Sequence, residues 1–224
     1  MNFDVRNFAT IEIFGIEVWI TESLVNMWII MAILIIAAAI IRITIHVKRT
    51  PSSTAPRGVQ NAIEAIVEVF DRFVRGTAGD KLAYLGHWFF AVFAFIMFSN
   101  FSGVFIRPPT ADWAVTFTMA FASFLLIQYA GIRYRTKSYL LGLLNPLNLL
   151  GEVSKPVALS FRLFGNILGG TILIGMLYGV APSFAWFGVP VALHAYFDIA
   201  MGFLQTYIFI VLSMSFVGLA VKTD

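Results

Sequence analysis

The segment SLVNMWIIMAILIIAAAIIRITI, residues 23–45, contains one charged residue, Arg42, within an otherwise apolar run. A transmembrane helix needs about 20 apolar residues, because the hydrocarbon core of a bilayer is about 30 Å thick. The whole chain has the same character, since 59% of its 224 residues are hydrophobic and only 12% are charged. A soluble domain carries about 25% charged residues. The sequence therefore predicts an integral membrane protein.

Four more apolar runs follow, so the predicted fold is an all-α membrane protein with about five transmembrane helices. The predicted spans are Ser23–Ile45, His87–Ile106, Trp113–Ile132, Gly151 or Glu152 to Val180, and Val191–Val221. The last two are longer than a bilayer requires, and tilting accommodates such excess length. We expect one membrane domain, residues 1–224, in which residues 151–221 form a long, tilted hairpin about an outer turn at 181–190. The stretch NPLNLL, residues 145–150, is expected to be a turn or an interfacial segment.

The positions of the basic residues predict the orientation of the chain, because cytoplasmic loops are enriched in Lys and Arg. Most of the 15 Lys and Arg residues lie near or after the ends of the first and third spans or near the end of the chain. They include Arg42, Lys48, Arg49, Arg57, Arg133, Arg135, Lys137 and Lys222. Only Arg6 and Arg107 fall on the opposite side, and Arg162 falls within a span. We expect the N-terminus outside and the C-terminus in the cytoplasm.

The segment GVQNAIEAIVEVFDRFVRG, residues 58–76, has apolar residues at helical spacing and polar residues on the other side. This pattern predicts an amphipathic helix within residues 56–80, lying on the cytoplasmic membrane surface. A surface for a soluble partner is the alternative interpretation.

Several classes of site are disfavoured by composition. The chain has no cysteine, which excludes disulfides, thiolate metal sites and cysteine nucleophiles. His46, His87 and His194 show no metal-ligand spacing, and neither a nucleophile elbow nor a phosphate-binding loop is present. We therefore predict no metal, no cofactor, no nucleotide site and no nucleic-acid partner, and a membrane-embedded hydrolase is disfavoured.

Arg162 and Asp198 are the only formally charged residues between Val157 and Val221. A charge near the bilayer centre costs from about 2.5 to well over 10 kcal/mol, and arginine stays charged even there because its pKa is above 12. The functional interpretation is that Arg162 acts on a moving ion or a partner carboxylate. The alternatives are that Arg162 snorkels to the surface or forms a structural ion pair.

Hairpin geometry brings other polar residues toward these charges. Asn166 lies one helical turn from Arg162, and an antiparallel hairpin centred near residue 184 puts Arg162 level with Gln205 or Thr206. The same geometry puts Asp198 level with Gly169 and Gly170. A staggered polar line of this kind suggests an ion path, and the glycines would permit close helix approach. Ordinary helix packing, a helix–helix hydrogen bond at Gln205 and a surface cavity at Asp198 remain as alternatives.

The run NPLNLLGEVSKPVALSFRLFGNILGG, residues 145–170, resembles the signature of subunit a, the membrane stator of F-type ATP synthases. The resemblance extends to LQTYIFIVLSMSFVGLA near the C-terminus and to the amphipathic segment. It implies a non-catalytic, multi-pass subunit that lies in a bacterial cell membrane. This subunit would contact a rotating c-subunit ring, b subunits and lipid. The arginine of the family, here Arg162, faces the carboxylates of the ring between two offset half-channels, and H⁺ or Na⁺ is translocated.

The resemblance also implies roles for other residues. Asn166 and Gln205 match polar positions of the family near the arginine, and Asp198 matches an ionisable residue of the outer half-channel. Relatives carry Glu or His where this chain has Thr171, so the outer path is expected to rest on Asp198. Further channel-lining candidates are Thr171, Gly169, Gly170 and Ser160. A self-contained secondary transporter and a non-transporting scaffold are the rival functions.

Overall fold

Five helices in the structure are long and apolar enough to cross a membrane, which confirms the predicted fold class. The structure is a computed structural model that describes residues 7–13, 16–47, 58–180 and 188–221. Its elements are β1 (Asn7–Ile13), β2 (Ile16–Thr21), α1 (Glu22–Val47), α2 (Val59–Ala78), α3 (Gly86–Phe101), α4 (Trp113–Leu143), α5 (Pro146–Val180), α6 (Val189–His194) and α7 (Gly202–Val221). A π-helix, Ala195–Met201, joins α6 to α7. The candidate spans are Glu22–Ile45, Asp80–Val104, Trp113–Leu143, Pro146–Leu177 and Val191–Val221.

Parts of the predicted organisation lie outside the described residues. These are Arg6, the basic residues Lys48, Arg49 and Arg57, most of the outer turn (181–187), and Lys222.

The end of α4 and the start of α5 differ from the predicted helices. The predicted turn at residues 145–150 is wrong beyond Asn145, because α5 begins at Pro146, whereas the alternative of an interfacial segment stays a prediction. The side chain of Asn145 accepts a hydrogen bond from the backbone N–H of Leu147 at 3.1 Å, as an N-cap does. Proline suits the first helical position because its missing N–H would have no partner there. Helix α4 continues beyond the predicted Ile132 and kinks at Arg135, whose φ and ψ are −136° and 37°.

A two-stranded antiparallel hairpin precedes the first membrane helix, and the sequence interpretation did not predict it. Strands β1 and β2 pair with Glu12 opposite Glu17 and Thr10 opposite Trp19. The stretch has the apolar–polar alternation of a half-buried strand. Like charges directly opposite each other destabilise a strand pair, so the two glutamates do not explain why the hairpin forms.

Helix α7 lies at the centre of the bundle and packs against α2, α3, α4 and α5. Its inward side chains, such as Phe209 and Met214, join Phe89 of α3 and Leu163 of α5 in one buried apolar cluster. Helix α1 is the most peripheral span, and many of its isoleucines are exposed. Exposed apolar side chains are expected on a membrane-spanning bundle, because lipid or other subunits cover them.

Helix α2 packs its apolar side against α7 and α3. Val74 is fully buried, and the Phe73 ring stacks on Tyr207 of α7 with centroids 5.8 Å apart. On the exposed side, Arg75 pairs with Asp71 at 2.7 Å. The hydrogen bond to Asp71 raises the pKa of the Arg75 guanidinium above its ordinary value. Such exposed pairs are screened by water and contribute little to stability, so packing is what holds α2 in place.

Candidate functional site

Arg162 lies at the middle of the span Pro146–Leu177 of α5 and is exposed on the outer face of the bundle. The helix is 35 residues long, or about 52 Å at 1.5 Å per residue. Within the described part of the chain, Arg162 has neither a hydrogen-bond partner nor an ion-pair partner. The guanidinium is therefore available to a group from outside this subunit.

The face of α5 that carries Arg162 is lined by small residues. Around both Gly165 and Gly169, no atom of another element lies within 4 Å of where a Cβ would stand. Phe161 and Ile172 are exposed on the same side of the helix. Small residues let the backbone of a neighbouring transmembrane helix approach closely, so this face suits contact with another helix.

Gly170 has a different role from these two glycines. A Cβ at Gly170 would lie 3.0 Å from Cγ of Phe197, so the glycine permits α5 and the π-helix to touch. The contact puts residues 170 and 197 at the same depth, as the predicted hairpin register requires. The hairpin register also predicts that Asp198 lies at the same position along the hairpin axis as Gly169 and Gly170, and this contact agrees with that prediction.

The other predicted polar residues on these helices are more enclosed. Asn166 is half-buried, and Ser160 is fully buried with a hydroxyl that has no hydrogen-bond partner within the described residues. Gln205 is 6% exposed, and its Nε2 likewise lacks a partner there. A buried amide without a partner costs about 1–3 kcal/mol. Among the described residues, Nε2 of Gln205 thus makes no hydrogen bond to a neighbouring helix.

Asp198 lies in the π-helix and is paired with His194 at the end of α6. The two residues are four apart, and Nδ1 of the imidazole is 2.7 Å from Oδ2 of the carboxylate. An ionised carboxylate only accepts hydrogen bonds, so we assign the proton to Nδ1. The absence of metal-ligand spacing among the histidines does not reveal this partner in the sequence. The signal was the four-residue spacing of His194 and Asp198, which brings two side chains together on a helix.

The π-helix changes an assumption behind the predicted polar line. Asp198 and Gln205 are seven residues apart, which makes two turns of a regular α-helix and would put both on one face. Residues 198–201 belong to the π-helix, Ala195–Met201, in which hydrogen bonds span five residues. Spacing alone therefore does not put Asp198 and Gln205 on one face.

A cavity of about 410 Å³ opens beside the His194–Asp198 pair. It lies between α5, the start of the last span and the connection that follows α3. The polar side chains lining it are Arg107, Thr171, His194 and Asp198. Thr171 donates its hydroxyl to the carbonyl of Ile167 at 2.9 Å. Two of the predicted residues, Thr171 and Asp198, thus line one cavity, whereas Arg162 does not.

A second polar cluster joins the kinked end of α4 to the start of α5. Gln128 donates to Oε2 of Glu152 at 3.3 Å and accepts from the hydroxyl of Tyr139 at 3.1 Å. Lys155 pairs with Oε1 of Glu152. Both side chains of this ion pair are largely buried. The described residues contain no group of three His, Asp or Glu side chains that could hold a metal ion.

These features define a multi-pass membrane protein whose last two candidate spans carry charged residues. Residues 24–218 match the family described as ATP synthase A chain. The chain is 33% identical to "ATP synthase subunit a 2" of Chlorobium luteolum, over 98% of this chain and 72% of that protein. It is 34% identical to "ATP synthase subunit a" of Staphylococcus carnosus, over 96% of this chain and 97% of that protein.

A third relative, "ATP synthase subunit a 2" of Acaryochloris marina, is 30% identical over 92% of this chain and 87% of that protein. The chain therefore belongs to the ATP synthase A chain family. It has the role of the a subunit in an F-type ATP synthase complex.

Proposed function

We propose that this chain is the ion-translocating stator of its complex, with Arg162 as the fixed charge that faces the carboxylates of a rotating c-subunit ring. The observation that carries the proposal is the unpartnered, exposed guanidinium at the middle of a membrane span. Isolated charges are expensive in lipid. An arginine in this position therefore needs a partner, and the glycine-lined face around it suits the close approach of a ring helix.

The proposed mechanism follows from charge solvation. A ring carboxylate crosses lipid in a neutral form, by protonation or with a bound cation, because burying its charge is costly. Close to Arg162 the charged form is favoured, so the carboxylate releases its ion there. It reloads from the other side as the ring turns. Because the side chain of Arg162 keeps its charge throughout, it also blocks direct leakage between the two sides.

The cavity at Asp198 is proposed as the outer half-channel. It contains a carboxylate that can bind and release a cation, and Thr171 contributes a hydroxyl to its wall. Asn166 and Gln205 are proposed to act near Arg162, where their amides can hydrogen-bond to water or to a ring carboxylate. Ser160, Gly169 and Gly170 are further candidates near the path. The unpartnered Nε2 of Gln205 supports this assignment, because it leaves a buried donor for such a group.

The remaining proposals concern the setting of the chain. We propose a bacterial cell membrane, with the N-terminus outside, the C-terminus cytoplasmic, and α2 on the cytoplasmic surface. The b subunits are proposed partners, and residues 151–221 are proposed as the ion-translocating hairpin. The translocated ion is H⁺ or Na⁺, a choice that depends largely on the carboxylate site of the ring.

Cross-linking from single cysteines tests which subunit covers Arg162. The chain has no cysteine, so Phe161→Cys and Ile172→Cys each carry one thiol for a thiol-attached photo-crosslinker. In the assembled complex we expect both to capture the c subunit, identified by mass spectrometry. Ile33→Cys on α1, also exposed to lipid, is the matched control and is expected not to capture it. Capture of the c subunit from α1 but not from α5 would contradict the proposal.

A further inference from the structure

The His194–Asp198 pair is built into the wall of the cavity rather than into the packed core. Both side chains line the cavity, and they keep 38% and 21% of their surface exposed. On its other side, Asp198 lies against the connection after α3, where a Cβ at Gly103 would be 3.4 Å from Cγ and Oδ1 of the carboxylate. The carboxylate is therefore held between an imidazole and a glycine backbone.

The charges around the cavity are few. Arg107 comes from the connection after α3, Asp198 from the π-helix and His194 from α6, whereas α5 contributes the neutral Thr171 and apolar side chains. Arg107 carries a fixed positive charge. With a neutral imidazole, Arg107 and an ionised Asp198 balance each other. When His194 gains a proton, the cavity becomes net positive and Asp198 is held in an ion pair.

We propose that His194 is a positioning residue for Asp198 that makes ion access to this cavity depend on the pH outside. The inference rests on the proposed function of the cavity. A neutral His194 donates one hydrogen bond and leaves the other carboxylate oxygen to an arriving cation. A protonated His194 binds the carboxylate more strongly, and its charge adds to that of Arg107 in repelling the cation.

The test uses the reconstituted complex synthesising ATP under a fixed potassium diffusion potential. The pH on the side of the cavity is varied from about 5.5 to about 8.5, a range that covers imidazole titration, while the pH on the other side is fixed. The variants are His194→Gln, whose amide can still donate to Asp198 without titrating, and His194→Ala, which removes the donor. Tyr196→Phe, at an exposed neighbouring position outside the cavity, is the control.

The wild-type rate, divided by the His194→Gln rate, is expected to fall several-fold as the pH drops through this range. His194→Gln is expected to keep the plateau rate at high pH, whereas His194→Ala lowers it, and Tyr196→Phe follows the wild type. A constant ratio between wild type and His194→Gln overturns the proposal, as does a plateau for His194→Ala equal to that of His194→Gln.

The same preparation separates this inference from the proposed function. If Asp198→Ala abolishes synthesis while His194→Gln keeps the wild-type pH profile, only the role of His194 is refuted. If Arg162→Ala still couples ion flow to synthesis, the proposed function itself fails.

Discussion

Asn100 of α3 donates its amide to the hydroxyl of Thr206 on α7 at 3.2 Å, and the same nitrogen reaches the carbonyl of Gly202 at 3.1 Å. Its oxygen accepts from the hydroxyl of Thr110 at 2.9 Å. All the side chains involved are buried. One amide therefore ties three segments together on the side of the bundle that holds the cavity, and it fixes α7 relative to α3.

Removal of this amide is expected to destabilise the protein. Asn100→Ala leaves the hydroxyl of Thr110 without its acceptor, and a buried polar group without a partner costs about 1–3 kcal/mol. We expect a lower midpoint of thermal inactivation for the assembled complex in detergent. Asn61→Ala, at an exposed position of α2, should leave the midpoint unchanged. Equal midpoints for the two variants would argue against the bracing role of Asn100.

Gly170 and Gly169 are expected to respond differently to the same substitution. A Cβ at Gly170 meets Phe197 at 3.0 Å, and overpacking of this kind costs about 1–3 kcal/mol. Gly170→Ala should therefore reduce the amount of folded subunit in membranes, whereas Gly169→Ala should leave it unchanged. Gly169→Ala is instead expected to lower ATP-driven pumping, because the added methyl group stands on the face proposed to meet the ring. Quantitative immunoblots measure the amount of each variant, and pumping assays measure its activity. A loss of folded subunit in Gly169→Ala but not in Gly170→Ala would contradict the assignment of the two faces.

The Glu152–Lys155 pair is expected to contribute to thermal stability, because both side chains are partly buried. Lys155→Met leaves the carboxylate of Glu152 without its counter-charge, and breaking a fully buried pair costs about 3–5 kcal/mol. Because both side chains keep some contact with solvent, we expect a smaller loss of thermal stability. The double variant Glu152→Gln with Lys155→Met should recover most of that loss. No recovery in the double variant would show that the pair is not the source of the effect.

Neutralising Asp198 is expected to slow ion flow without loss of the subunit. Asp198→Asn keeps the shape of the side chain and its contact with Gly103, but it removes the charge that attracts a cation. ATP-driven pumping should fall at least tenfold while the amount of assembled complex stays constant. Asp80→Asn, at an exposed carboxylate on the other side of the bundle, serves as the control. Unchanged pumping in Asp198→Asn would remove this residue from the path.

The sequence predicted the features that depend on length and depth. Apolar runs set the five spans, and the hairpin register set the level of Asp198, which the contact between Gly170 and Phe197 supports. Asn145 followed by Pro146 is a helix-start signal, but the same dipeptide also begins turns, so the sequence alone predicts a turn or an interfacial segment there.

The direction in which each side chain of the last span points around the helix axis could not be predicted from helical periodicity. The π-helix at Ala195–Met201 alters the direction in which Asp198 points, and the 3.6-residue period contains no information about where such a segment begins. The exposure of Arg162 and the enclosure of Gln205 depend on how α5 and α7 rotate against α3 and α4. That rotation comes from contacts between distant residues, such as Asn100 and Thr206.

The most direct test of the central claim is ATP-driven ion pumping in vesicles that contain the assembled complex with Arg162→Ala. Arg72→Ala, which removes an exposed arginine of α2, is the matched control. With both complexes assembled to wild-type amounts, we predict that Arg162→Ala abolishes pumping while Arg72→Ala pumps normally. Wild-type pumping by the Arg162→Ala complex would contradict the role of Arg162 as the charge that faces the ring.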